Sequence, residues 1–370
     1  MAHNQAVFPG RITPNSYFIE RTVRMPRRNE AAKIIPFKTC RHQAPLSTIT
    51  MTELYDNIYQ TRPPVIDDLL YSGTYIVAGA PKVGKSFFMA QLAYHISAGI
   101  DLWEHHVHQG TVLYLALEDD HQRLQQRMSR MFGVDGTNKL HFAVEAPDLE
   151  SGLESKLEAF IEANPDTRLI IIDTLQKILG NSKGSTYARD YEVMGRLKKF
   201  ADAHGICMLI VHHTRKSKDK DIFNMISGSA GLLGCVDGAF LLHKDNRIDD
   251  VAILDVVGRD QPEQQIYLSK DTDTLLWNFE DALKEEWVEP LDPVLEAVND
   301  MLTADTLTWT GRACELVMRL DLDIQPNALT KKLNVKTGTL FNNYSIMYER
   351  TRTRNGSKIN LKRIAENRPA

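Results

Sequence analysis

The chain has 370 residues, 43% hydrophobic and 25% charged, the composition of an ordinary globular protein long enough to bury one large core and one small one. No apolar run is long enough to span a bilayer and the first residues are mixed polar and basic, so a cytoplasmic protein without membrane contact is expected. Cys40, Cys207, Cys235 and Cys314 are scattered without a CxxC pair, which argues against a disulfide framework or a zinc ribbon. The net charge of −4 is unevenly placed. Residues 1–45 hold eight Lys and Arg against two Asp and Glu, residues 331–370 hold ten against two, and the middle is therefore strongly acidic. Basic ends of this kind serve either as nucleic-acid contacts or as solvated tails.

In chain order, residues 1–45 are punctuated by Pro9, Pro14, Pro26 and Pro36 and read as an irregular basic arm. A short helix is expected within 48–60, closed by Pro63-Pro64. From there strand and helix alternate: strands at 75–78, 111–117, 140–144, 169–172 and 206–211, helices at 87–98, 121–132, 153–163 and 191–204. Apolar strands separated by helices imply a mostly parallel sheet covered on both faces. Short strands at 239–242, 251–257, 265–268 and 275–278 follow as an antiparallel extension. The α/β domain is thus set at 46–281 and an acidic, proline-bearing linker at 282–292. The remainder, 293–370, reads as helices at 294–302, 311–320 and 326–333, a fourth near 337–345, and a basic hairpin turning at Asn355-Gly356, together a small winged-helix-like domain.

The most specific signal is Gly79-Ala80-Pro81-Lys82-Val83-Gly84-Lys85-Ser86, which fits G-x-x-x-x-G-K-[ST] between an apolar strand and a helix. The glycines let backbone N–H groups turn inward on phosphate oxygens, and the helix that begins there offers its positive end to the same anion. Lys85 is placed to reach β- and γ-phosphates, the Ser86 hydroxyl to ligate Mg²⁺, and Phe87 to complete the nucleotide-binding set. ATP and Mg²⁺ are therefore the expected cofactors. Asp173, at the end of the apolar strand Leu169-Ile170-Ile171-Ile172, is the expected acidic partner of Mg²⁺. Glu118, after the strand ending at Leu117, is the candidate for activating water, while Asp119 and Asp120 read as caps of the next helix. His212-His213 ends another strand; adjacent strand residues point to opposite faces, so the pair suits a γ-phosphate sensor or a plain hydrogen-bonded histidine better than a metal chelate. His105, His106 and His108 lack a carboxylate or thiol at ligand spacing and read as an exposed loop.

The order of these features, with Leu115-Ala116-Leu117-Glu118-Asp119 and Ile171-Ile172-Asp173-Thr174-Leu175-Gln176, resembles the RecA-like hexameric ATPases over roughly residues 50–280. It is most similar to RepA-type plasmid and mobile-element replicative helicases, and more distantly to DnaB and KaiC. The resemblance implies a RecA-like P-loop fold, Glu118 as catalytic carboxylate, Asp173 on Mg²⁺ and His213 as sensor. It also implies a homo-oligomeric ring, possibly a hexamer, in which a basic residue reaches the neighbour's nucleotide; Arg259, in Gly258-Arg259-Asp260, is the candidate, with a local turn contact to Asp260 as the alternative. Residues 177–190 and 214–230, with Lys183, Arg215, Lys216, Lys218 and Lys220, would be loops holding DNA, single-stranded in the resembled family. The added C-terminal domain departs from that family and equally suits a regulatory or origin-binding module.

Overall fold

Stretches such as Leu169-Ile170-Ile171-Ile172 and Met208-Leu209-Ile210-Val211 have no polar side chain for solvent, so a sheet built from them must be covered on both faces. That is the arrangement in the computed structural model, which describes residues 47–59, 64–179, 186–214, 222–226, 230–244, 251–259, 261–284, 291–303, 306–353 and 356–364. The elements below all belong to one compact unit, Met51–Ala370.

After a short helix, α1 (Met51–Asp56), comes a small hairpin, β1 (Pro64–Ile66) and β2 (Leu70–Tyr71). The α/β core then runs β3 (Gly73–Gly79), α2 (Lys85–Ala98), β4 (Thr111–Ala116), α3 (His121–Phe132), β5 (Leu140–Ala143), α4 (Leu153–Ala163), β6 (Thr167–Asp173), α5 (Leu175–Ile178), α6 (Thr186–His204), β7 (Cys207–His213) and α7 (Ala230–Cys235). It closes with β8 (Gly238–His243), β9 (Val251–Gly258), β10 (Gln264–Lys270) and β11 (Trp277–Lys284). The sheet order is β11-β10-β9-β8-β3-β7-β6-β4-β5. Strands β8, β3, β7, β6, β4 and β5 are parallel, whereas β9, β10 and β11 pair antiparallel. The side-chain period of two divides the core cleanly. Val77, Tyr114, Ile171 and Leu209 pack with α2 and α3, while Ile76, Leu113, Ile172 and Ile210 pack with α4 and α6.

Strand β11 corrects two expectations: it begins at Trp277 rather than 275 and continues to Lys284, so the stretch expected to open a linker at 282 is still paired with β10. The pairing reaches Lys284 because β10 offers ladder partners back to Gln264, which outweighs the weak apolar signal of 279–284. Residues 285–290 of the expected linker, and the arm at 1–45, lie outside the described residues.

The C-terminal part folds as α8 (Pro293–Met301), β12 (Thr308–Arg312), α9 (Ala313–Leu320), α10 (Pro326–Val335), α11 (Thr337–Tyr344), β13 (Ile346–Thr353) and β14 (Gly356–Arg363). The helix expected from 311 starts instead at Ala313, because Thr308-Trp309-Thr310-Gly311-Arg312 pairs with β14 as an edge strand. The β13–β14 hairpin is longer than expected, from Ile346 to Arg363, with Thr353 paired to Gly356; Arg354 and Asn355 of the expected turn lie outside the described residues. A separate core of Leu295, Val298, Leu316, Leu329, Leu333, Leu340, Ile346, Ile359 and Leu361 holds the module together.

Helix α1 has six residues and no buried side chain, too short to be stable alone. The C-terminal module holds its last turn: Asn334 Nδ2 donates to Tyr55 O at 3.0 Å and Arg350 Nη1 donates to Asp56 O at 3.0 Å. Both are carbonyls that a helix end leaves without an intrahelical partner. Tyr348, buried, donates to Asn334 Oδ1 at 2.8 Å and fixes the amide that makes the first contact. Among the described residues no helix is long and apolar enough to cross a membrane.

Candidate nucleotide-binding site

Parallel strands leave their carboxyl ends on one edge of the sheet, and ligands of open α/β sheets bind there. Strand β3 ends at Gly79, β6 at Asp173 and β7 at His213, with Gly79 opposite His213 and Ala116 opposite Asp173 in register. The motif residues Ala80, Pro81, Lys82, Val83 and Gly84 form the turn from β3 into α2. Two glycines are required by geometry. A Cβ on Gly79 would stand 2.4 Å from Leu242 O of the neighbouring β8, and Gly84, at φ 114°, would drive a Cβ to 2.6 Å from Trp277 Cζ2.

Lys85 is 6% exposed and its Nζ donates to Gly79 O at 2.7 Å and Ala80 O at 3.1 Å. Burial pulls its pKa down to about 8, opposed by the negative charges of Asp173 and Glu118. The next side chain, Ser86, donates its hydroxyl to Asp173 Oδ2 at 2.9 Å. Asp173 is buried; desolvation raises its pKa, and the hydrogen bonds from Ser86 and Tyr114 pull it back. The Asp173–Thr174 peptide is cis.

Glu118 lies two residues beyond the end of β4, exposed at the same edge, and accepts a hydrogen bond from Thr174 Oγ1 at 3.2 Å. Its companions divide their work. Asp120 caps α3 by accepting from Arg123 N at 2.8 Å, whereas Asp119 is no cap but pairs with Arg127 at 2.7 Å. His213 is half-buried, and its Nδ1 is buried without a hydrogen-bond partner among the described residues. Two cations lie over the Phe87 ring: Lys270 Nζ is 3.7 Å from its centroid and Arg127 Cζ 5.3 Å. Burial first, then the like charges of Lys244, Arg130 and Arg127, lower the Lys270 pKa.

Lys85, Ser86, Asp173, Glu118 and His213 thus converge on one edge, as the sequence implies. Arg259 does not join them. It follows Gly258, which pairs with Gly238 at the amino end of β8, so it stands at the opposite edge of the sheet. Its backbone N–H donates to Asp237 O at 2.8 Å and its Nη2 to Gly234 O at 2.6 Å; the alternative partner Asp260 lies outside the described residues. His106 and His108 bond to Asp101 at 2.9 Å and Asp67 at 2.8 Å, and among the described residues no group of three His, Cys, Asp or Glu is disposed to hold a metal ion. Of the two loops expected to hold DNA, residues 180–185, 215–221 and 227–229 lie outside the described residues.

Sequence reasoning missed Tyr114, Thr174, Trp277, Lys270 and Arg127. Tyr114 was within reach: period two places residues 112, 114 and 116 on one face of β4. Trp277 had no local signal, since it meets Gly84 from 193 positions away, with Nε1 3.4 Å from Gly84 O.

The oxygen-only set of Ser86 and Asp173 suits a hard divalent cation such as Mg²⁺. The His213 Nδ1, without a partner among the described residues, and Lys85, which donates to carbonyls of its own loop, are groups that a polyphosphate would engage.

Residues 40–219 match the family model described as an AAA domain. Among solved structures, one of a DnaB-like replicative helicase, studied for its interactions with primase, is similar at 15% identity and a TM-score of 0.48. That alignment covers 56% of this chain and 58% of that one, so the chain spans under two thirds of that helicase. A KaiC-like protein from Pyrococcus horikoshii is similar at 12% identity and a TM-score of 0.43, over 61% of this chain and 99% of that one. No curated protein matches the sequence. The residues matched by the AAA-domain family model take in β3, β4, β6 and β7, the strands whose ends carry Gly79, Glu118, Asp173 and His213.

Proposed function

We propose that the protein is an ATP-hydrolysing motor acting on DNA, a replicative helicase of a plasmid or mobile element working as a homo-oligomeric ring. The observation that carries the ATPase part is the convergence of Lys85, Ser86, Asp173, Glu118 and His213 on one sheet edge. Mg²⁺, when bound, supplies charge neutralisation at the β- and γ-phosphates. Ser86 and Asp173 would hold it, and Lys85 would exchange its carbonyl contacts for phosphate oxygens. Glu118, steadied by Thr174, orients the attacking water and accepts its proton. His213, whose buried Nδ1 has no hydrogen-bond partner among the described residues, would serve as the γ-phosphate sensor. Arg259, at the edge away from its own phosphate loop, is positioned to serve a neighbouring subunit and would neutralise charge developing in transfer.

The DNA part rests on the basic termini and on the loops that follow β6 and β7. A strand-displacement assay with single-stranded DNA loading tests it. ATP-dependent unwinding by the wild type and none by Lys85→Ala is expected; hydrolysis without DNA stimulation at any length would overturn the motor reading.

A second reading has its own observation. The C-terminal order α8-β12-α9-α10-α11-β13-β14 is compatible with a winged-helix module that carries one further helix, and the exposed Lys358 and Lys362 on its hairpin support that reading. An ATP-switched DNA-binding regulator follows from it, and duplex affinity that survives deletion of residues 293–370 would exclude that reading.

A further inference from the structure

Tyr114 is fully buried, and its hydroxyl donates to Asp173 Oδ2 at 3.0 Å. Ser86 Oγ donates to the same oxygen at 2.9 Å, and among the described residues Asp173 Oδ1 accepts nothing. The three side chains come from three elements, β4, α2 and β6, and meet on the α2 face of the sheet. Tyr114 is held in turn by Phe142 of β5, with ring centroids 5.7 Å apart.

We propose that Tyr114 is a positioning residue for the divalent cation, acting through Asp173. A carboxylate rotates readily about its last bond, so either oxygen could meet the phosphate loop. Two donors on Oδ2 remove that freedom. They draw the Ser86 proton toward Asp173, leave the Ser86 lone pairs facing the cation, and leave Oδ1 for the water shell around it. A small cation that demands near-ideal octahedral geometry gains most from such a fixed carboxylate, so the arrangement selects Mg²⁺ over the larger, more tolerant Ca²⁺. The inference rests on the proposed nucleotide site and concerns its metal.

The test uses the full chain and a fluorescent N-methylanthraniloyl-ATP, with binding followed against added Mg²⁺ or Ca²⁺. For Tyr114→Phe, which removes one oxygen and keeps the ring, the Mg²⁺ needed for half-maximal binding rises about tenfold, the range of lost second-layer hydrogen bonds to metal ligands. Ca²⁺-supported binding changes less, and binding in EDTA is unchanged. In an Asp173→Asn background the Mg²⁺ dependence is the same with Tyr or Phe at 114, because the residue acts through the carboxylate. A folded Tyr114→Phe protein with the wild-type Mg²⁺ requirement would overturn the proposal, as would an equal loss of binding with and without metal. If the wild type binds no Mg²⁺-nucleotide at all, the site itself, and not Tyr114, is what fails.

Discussion

The phosphate edge and the C-terminal module both present charged residues that the sequence marks as functional, and they use them in opposite ways. At the phosphate edge the residues face one another across a few ångströms: Ser86 on Asp173, Thr174 on Glu118, Lys85 on the loop it belongs to. In the module, cations that would suit a nucleic acid are engaged in holding the chain together. Arg363 donates to Leu302 O at 2.9 Å, Tyr344 O at 3.2 Å and Asn299 O and Oδ1 at 2.9 and 2.7 Å, closing the end of α8. Arg350 holds α1 and Ser357, and Lys332 pairs with Asp292 at 2.8 Å. A count of basic residues therefore overstates what the module can offer a phosphate backbone, whereas the spacing motif names residues that the fold brings to one sheet edge. Charge is spent locally wherever carbonyls at a helix end need donors.

The largest expected effect lies at the phosphate edge. Asp173→Asn should lower ATP turnover about 100-fold or more, on the scale of losing a preorganised electrostatic partner, with the melting temperature nearly unchanged; turnover within a few-fold of wild type would remove Asp173 from the site. In the module, Arg363→Met should destabilise by about 2–3 kcal/mol, because several buried or half-buried carbonyls lose a charged donor. Chemical denaturation followed at Trp309, with the other tryptophans replaced, reads that unfolding, and an unchanged midpoint would show that the arginine is free to do other work.

Gly84→Ala tests how tightly the phosphate loop is clamped: a left-handed backbone and a Cβ 2.6 Å from the Trp277 ring should cost about 1–3 kcal/mol and weaken nucleotide binding together. Smallest are single exposed lysines. If the module binds nucleic acid, Lys362→Ala should reduce the slope of log affinity against log salt by about 1. Arg350→Ala should instead act by loosening α1, seen as faster amide exchange at residues 51–56. Equal salt slopes for both variants would erase the distinction between the two regions.

How much was legible follows the same division. The β3, β6 and β7 ends could be read because apolar runs of strand length end at Gly79, Asp173 and His213, and parallel strands bring such ends to one edge. Residues joined by tertiary contact alone could not: Trp277 beneath Gly84, or Asn334 and Arg350 on the last turn of α1, meet from 193, 279 and 294 positions away. Strand β12 hid because Thr308–Arg312 carries no apolar run and gains its regularity from pairing with β14. Arg259 is a candidate from the sequence alone, and its placement at the far edge is a property of sheet topology, where β9 runs antiparallel to β8.

The central claim is that this edge binds and hydrolyses ATP. Steady-state ATP hydrolysis with Mg²⁺, measured side by side for wild type, Lys85→Ala and Glu118→Gln, tests it most directly. The account predicts turnover by the wild type, none by Lys85→Ala for want of phosphate contact, and none by Glu118→Gln although that variant still binds nucleotide. Hydrolysis retained by Lys85→Ala would contradict it.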